Sequence, residues 1–129
     1  MILEQSPQTL AGMSLLVLED EILIAIAIKE FLSEAGAMLV ETTTTLARAR
    51  ELMSTSFDAA ILDVRLPDGT SHDLAKDLLA QGTGVCFHSG HAESEEVDAF
   101  PNAIFCAKPS TPDDLVRGVL ASIDAVEAG

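Results

Sequence analysis

Five polar positions each stand at the end of a short apolar run. Glu19 and Asp20 follow SLLVL, Asp63 closes DAAILD, Ser89 closes GVCFHS and Lys108 closes AIFCAK. Three carboxylates, one hydroxyl and one ammonium make a coherent chemistry if they converge. Carboxylates held within a few ångströms repel and raise one another's pKa. A hard divalent cation removes that penalty, and oxygen-only ligands suit Mg²⁺, or Mn²⁺ in its place, with several waters retained. Such a cation would clamp a phosphoryl oxygen while Lys108 and Ser89 take the others. Asp63 would then serve as an in-line carboxylate nucleophile, since phosphoryl transfer needs mainly positioning and charge neutralisation.

Whether the five converge depends on the elements that carry them. SLLVL (Ser14 to Leu18) is a continuous apolar run, expected of a strand buried on both faces. A helix is predicted from Asp20 or Glu21 to about Ala35, closed by Gly36. Ala37 to Thr42 reads as a second strand, and a helix follows from about Thr45 to Ser54, capped by Thr44 or Thr45. Asp58 to Asp63 is a third strand and Leu66 to Gly69 a turn. A third helix is predicted from about Ser71 to Gln81, a fourth strand over Gly84 to Ser89 and a fifth over Ala103 to Lys108. Ser110 or Thr111 caps a last helix running to about Val126, with Pro112 in its first turn. The β-α alternation, five times over, predicts an α/β fold with a doubly wound parallel sheet. In such sheets the site lies outside the carboxyl ends of the strands, where the five polar positions fall.

Composition narrows the classes further. Seven Lys and Arg against 21 Asp and Glu give a net charge of −14, which repels phosphate backbones and anionic membranes and argues against direct nucleic-acid or membrane binding. No apolar run reaches the roughly 20 residues that span a bilayer, and the first residues do not form a signal peptide, so a cytoplasmic location is expected. The absence of Trp and Tyr disfavours base-stacking or carbohydrate-binding surfaces. Residues 1–12 are expected to form a loose arm ahead of one domain over 13–127. Cys86 and Cys106 read as small buried hydrophobes rather than a disulfide or redox pair. His88 and His91 are not needed as ligands by an oxygen-rich site, and His72 is expected at the surface.

LLVLEDE, AAILDVRLPDG, FHSGH and AKPSTPDDL, in this order and spacing, make the chain from about Ser14 to Asp124 resemble the receiver domain of two-component response regulators. The resemblance implies a (βα)₅ flavodoxin-like sheet of order 2-1-3-4-5. It implies that Asp63 accepts a phosphoryl group from a histidine kinase or histidine phosphotransfer protein, without the chain being an enzyme that turns over external substrates. It implies metal ligation by Asp20, Asp63, the backbone carbonyl of Arg65 and, through water, Glu19. Ser89 would be the switch hydroxyl, Lys108 the phosphate-pairing cation and Phe105 the rotating aromatic residue, with a cis bond into Pro109. Output would pass to a downstream protein target, and a homodimer is a further candidate assembly.

Two departures from the family pattern stand out. The acidic pair is Glu-Asp rather than the commoner Asp-Asp. The stretch between Ser89 and Phe105 is about one helical turn short, with poor apolar periodicity and a break at Pro101, so the fourth helix is expected to be short, frayed or absent. Together with FHSGH this is similar to a stand-alone receiver subfamily with a Phe-x-Thr/Ser-Gly signature.

On the first helix, Ile24, Ala27, Ile28 and Phe31 are expected to face the core. Ile22 and Ile26 fall roughly opposite and are candidate partner contacts. Three rival readings remain. A metal-dependent phosphatase would need a carboxylate two residues after the nucleophile, where Arg65 stands. A flavin-binding domain would need a phosphate loop in place of Glu19-Asp20-Glu21. A pseudo-receiver that binds partners without phosphorylation would not need the full polar set.

Overall fold

The computed structural model describes residues 9–90, 94–108 and 110–128, with side chains of 94–96 excluded. Its strands follow the apolar runs: β1 (Ser14–Leu18), β2 (Leu39–Thr43), β3 (Ala59–Leu62), β6 (Gly84–Ser89) and β7 (Ile104–Ala107) form one sheet in the order β2-β1-β3-β6-β7. Every pairing within it is parallel. Counting only these five, the order is the expected 2-1-3-4-5. β1 and β3 are buried at every residue, because parallel strands covered on both faces have no polar side to show.

Side-chain alternation divides the interior into two layers. Leu16, Leu18, Ala60, Leu62, Val85 and Phe87 join one cluster with Ala49 of α2 (Leu46–Glu51) and Leu74, Ala75 and Leu78 of α3 (His72–Ala80). Leu15, Val17, Ala59, Ile61 and Cys86 point the other way, onto Ile28 and Leu32 of α1 (Ile22–Glu34) and Leu115 and Val119 of α5 (Pro112–Ala128). At Gly84 an added Cβ would come within 2.7 Å of the Ser122 backbone, so α5 can lie this close to the sheet only over glycine.

Caps fix several boundaries. Thr45 accepts a hydrogen bond from the Arg48 N–H at 3.2 Å. Thr111 and Asp114 satisfy each other's backbone N–H in a reciprocal capping box, which makes Thr111 rather than Ser110 the cap of α5. α2 ends earlier than expected, giving way to a 3-10 turn over Leu52–Ser54. The short fourth helix is present as α4 (Ser94–Ala99).

Several expectations are corrected. The turn expected at Leu66 to Gly69 is present, but it closes an unforeseen small antiparallel hairpin of β4 (Arg65–Leu66) and β5 (Gly69–Thr70). Residues 1–8 lie outside the described part, but the loose arm does not extend to residue 12. Leu10 is fully buried, and its N–H donates to the Ala35 carbonyl at 2.8 Å. The core stripe of α1 is wider than expected: Ala25, Ile28 and Leu32 are buried, Ile24 and Phe31 are half-buried but packed against the same cluster, and Ala27 is half-buried. His72 is half-buried and packs its ring against Phe87 and Phe100. Cys86 is buried as expected, whereas Cys106 is only half-buried; both are free thiols. Among the described residues no helix is long and apolar enough to cross a membrane.

Candidate functional site

The parallel ladders run one residue past the strands and fix the main chain of the charged positions. Glu19 N–H donates to the Thr43 carbonyl at 3.0 Å, Asp63 N–H to the Leu18 carbonyl at 2.8 Å and Lys108 N–H to the Ser89 carbonyl at 2.7 Å. These bonds set each residue at the same edge of the sheet with its backbone donor satisfied. The Asp63 carbonyl in turn accepts from the Ser71 hydroxyl at 2.7 Å, and Ser71 N–H donates to the Val64 carbonyl. Ser71 is fully buried, so the start of α3 is tied to the turn that follows β3.

The carboxylates of Glu19, Asp20 and Asp63 each offer an oxygen, and these oxygens all lie within 4.8 Å of one another. Glu19 is buried, Asp63 half-buried and Asp20 exposed, so the cluster opens to solvent on the Asp20 side. Lys108 Nζ enters from β7, 2.8 Å from Glu19 Oε1 and 3.2 Å from Asp63 Oδ2. The Glu19 contact is an ion pair without a well-directed hydrogen bond, while Glu19 Oε2 accepts the Glu21 N–H at the start of α1.

The electrostatics follow from this packing. Burial raises the Glu19 pKa and the Asp63 charge adds to the rise, against the opposing pull of Lys108 and the Glu21 N–H. For Lys108, burial is the largest single influence and pulls its pKa down. The contacts and charges of Glu19 and Asp63 together outweigh that pull and leave the pKa raised. Three acidic groups with a single ammonium leave an excess of negative charge in a partly desolvated place. The donor set is all oxygen and compact, so it fits a hard divalent cation of the Mg²⁺ or Mn²⁺ kind.

Pattern matching agrees with the geometry. The family model for the response regulator receiver domain matches residues 15–119. The chain belongs to the response regulator receiver family. Among solved structures, this receiver is similar to SdrG from Sphingomonas melonis Fr1, at 31% identity over 87% of this chain and 97% of that one, with a TM-score of 0.73. It also shares its fold with a CheY-like receiver domain protein from Methanospirillum hungatei JF-1, at 24% identity over 92% and 98% of the two chains and a TM-score of 0.80. A receiver protein from Sinorhizobium medicae WSM419 shares the fold too, with 23% identity over 89% and 97% and a TM-score of 0.80. No curated protein sequence matches this receiver.

The other residues expected at the site fall as follows. Ser89 ends β6 at the same sheet edge, half-buried. Phe105 stacks on Phe87 with ring centroids 5.1 Å apart and planes at 24°. Arg65 opens β4 with an exposed side chain. Pro109 and His91 lie outside the described residues. Ile22 and Ile26 are exposed on α1, 64% and 51%.

Two further residues join the surroundings of the site: Leu23, not singled out from the sequence, and His88, set aside there as a ligand. Leu23 is 82% exposed, and its neighbour Ile22 in the same turn could have drawn attention to it. His88 is buried, and its Nε2 lies 3.0 Å from the Ser110 hydroxyl. Burial lowers the His88 pKa, the Lys108 charge adds to the fall and the Asp63 charge opposes it. His88 therefore braces the start of α5 as a neutral ring. It also shares with Leu23, Ile24, Phe31 and Lys108 the lining of an apolar groove of about 510 Å³ between α1 and α5.

Proposed function

We propose that the chain accepts a phosphoryl group on Asp63 from a phosphohistidine of a histidine kinase or histidine phosphotransfer protein, and signals through protein contacts. The observation that carries this reading is the convergence of Glu19, Asp20 and Asp63 within 4.8 Å with Lys108 seated against two of them. The Asp63 carboxylate attacks phosphorus, the P–N bond breaks and the imidazole of the donor leaves with the bond's electrons. Lys108 exchanges part of its contact with Glu19 and Asp63 for a phosphoryl oxygen, and the Ser89 hydroxyl donates to another. Glu19, Asp20, Asp63 and the Arg65 carbonyl would hold Mg²⁺ or Mn²⁺, which when bound neutralises charge on the phosphoryl oxygens.

The switch follows from the same contacts. Ser89 and Lys108 sit on neighbouring strand ends joined by the Lys108 N–H to Ser89 carbonyl bond, so a phosphoryl group that recruits both side chains pulls on β6 and β7 together. Phe105 lies on β7 and its ring rests on Phe87, which makes it the aromatic group best placed to respond.

Ile22, Leu23 and Ile26 form an exposed apolar patch at the start of α1, beside the groove that reaches Lys108. This patch is the proposed docking face for the phosphohistidine donor, since a partner bound there reaches over the exposed Asp20 toward Asp63. The experiment that tests the reading is transfer from a ³²P-labelled histidine phosphotransfer protein. Label is expected on the wild-type chain and not on Asp63→Asn, and equal labelling of both would overturn it.

A further inference from the structure

β6 and β7 carry a second pair of reactive groups on the face turned away from the aromatic stack. Cys86 Sγ and Cys106 Sγ are 3.1 Å apart, close enough for one thiol to donate its hydrogen to the other sulfur. They are not directly opposite: Cys86 pairs with Ile104 and Cys106 with His88, so the side chains lean toward each other along the diagonal. The room for this comes from α5. At Gly118 an added Cβ would stand 2.6 Å from Cys106 Sγ and 3.0 Å from Cys86 Sγ, so the sulfurs fill the space a larger residue would need.

The two thiols are not equivalent. Cys86 is buried in the core, whereas Cys106 is half-buried and lines a groove of about 440 Å³ along the sheet edge with Phe105, Asp114, Arg117 and Gly118. A small polar oxidant therefore has a path to Cys106 along the groove, whereas Cys86 is fully buried. The hydrogen bond from Cys86 holds the Cys106 thiol down to about 7, against burial and the Asp114 charge, which oppose it. Cys86, by the same contact and its burial, is pushed far up and keeps its proton. The lowered pKa of Cys106 favours its thiolate, the form that reacts with oxidants.

We propose that Cys106 is a peroxide-reactive thiol and Cys86 its resolving partner, together a redox-modification site at the sheet edge. The Cys106 thiolate attacks one oxygen of hydrogen peroxide, the O–O bond breaks, and hydroxide leaves to take a proton as water. Cys106 is then a sulfenic acid. Cys86 sulfur attacks that sulfur, the S–O bond breaks, and the departing hydroxide takes the Cys86 proton as a second water. Two thiols have lost two electrons and two protons, and the peroxide has become two waters. The sulfurs must close from 3.1 Å to the ~2.05 Å of a disulfide. The edge strand β7, hydrogen-bonded within the sheet on one side only, is the element able to follow. Because β7 leads into Lys108, the bond would tie the sulfur pair to the strand that presents the ammonium.

The test reads thiols alone, so its failure is separate from any failure of the phosphoacceptor reading. The reduced full chain is treated with a small excess of hydrogen peroxide, alkylated under denaturing conditions and weighed intact. Wild type is expected to lose both alkylatable thiols and two hydrogen masses while remaining a single chain. Cys86→Ala is expected to give a Cys106 sulfenic acid that dimedone traps. Cys106→Ser is expected to leave Cys86 reduced, with oxidation at least about tenfold slower. Circular dichroism checks that each variant keeps the fold. Two alkylated thiols in folded wild type, oxidation of Cys106→Ser at the wild-type rate, or a disulfide-linked dimer would each overturn the proposal.

Discussion

The ammonium of Lys108 rests on Glu19, 2.8 Å from Oε1, and stands slightly farther from Asp63, at 3.2 Å. The cation that would meet a phosphoryl group is thus already neutralising the carboxylates that would hold a metal. Removing it should strengthen metal binding, because an incoming divalent cation no longer competes with a fixed positive charge. For Lys108→Met the apparent Kd for Mg²⁺ is expected to fall by about fivefold, a modest effect for a partly exposed ion pair. With no Trp or Tyr in the chain, calorimetric titration is the suitable measurement. An unchanged or higher Kd would contradict the competition.

Ser71 holds the backbone on which Asp63 sits. Its buried hydroxyl donates to the Asp63 carbonyl at 2.7 Å, and Ser71→Ala leaves that carbonyl without this partner. The expected cost is about 1–2 kcal/mol in urea unfolding. A loss below about 0.3 kcal/mol would mean that solvent replaces the hydroxyl freely.

Acid should loosen two helix starts. Asp68 accepts the Leu46 and Ala47 N–H groups at the start of α2, and the Leu46 bond, helped by Ala47, lowers its pKa. Asp114 is lowered by the Thr111 N–H and hydroxyl, with Arg117 adding to the effect. Because both folded pKa values lie below the ordinary 3.8, their stabilisation is fully present above that value. It is lost as pH falls through the folded pKa values. Asp68→Ala with Asp114→Ala should lower Tm near neutral pH and flatten its fall below about pH 4. A parallel fall in variant and wild type would show that the two carboxylates do not contribute.

The apolar patch at the start of α1 yields a kinetic prediction. Leu23→Lys and Ile26→Lys should slow phosphoryl transfer from a protein phosphohistidine by at least about tenfold. Transfer from a small phosphodonor should be affected much less. Equal slowing for both donors would move the effect from docking to the site itself.

The parts of this molecule that could be read from the chain are those set by local pattern. The buried runs at Ser14–Leu18 and Gly84–Ser89 have no polar face and could hardly be other than central strands. The polar residues just after them fall at the sheet edge by topology alone. What escaped depends on packing between distant segments. The two-residue strands of the Arg65–Thr70 hairpin are too short to carry an alternation. The side of α1 that meets the sheet is fixed by α5 as well as by its own periodicity, so Ala25 and Leu32 are buried with Ile28 while Ile24 and Phe31 pack against the core only in part. The Lys108–Glu19 pair and the Cys86–Cys106 contact join residues 89 and 20 positions apart, and no local signal announces either. Leu10 was hidden in a polar stretch, although a single Leu ahead of a strand is enough to anchor the chain.

The central claim is that Asp63 is the phosphoacceptor and depends on the acidic cluster. Intact mass after incubation with acetyl phosphate and Mg²⁺ tests it most directly, for wild type, Asp63→Asn and wild type with chelator. The account predicts a gain of one phosphoryl group, about 80 Da as HPO₃, in wild type with metal and no gain in the other two samples. The same gain in Asp63→Asn, or in the chelated sample, would contradict it.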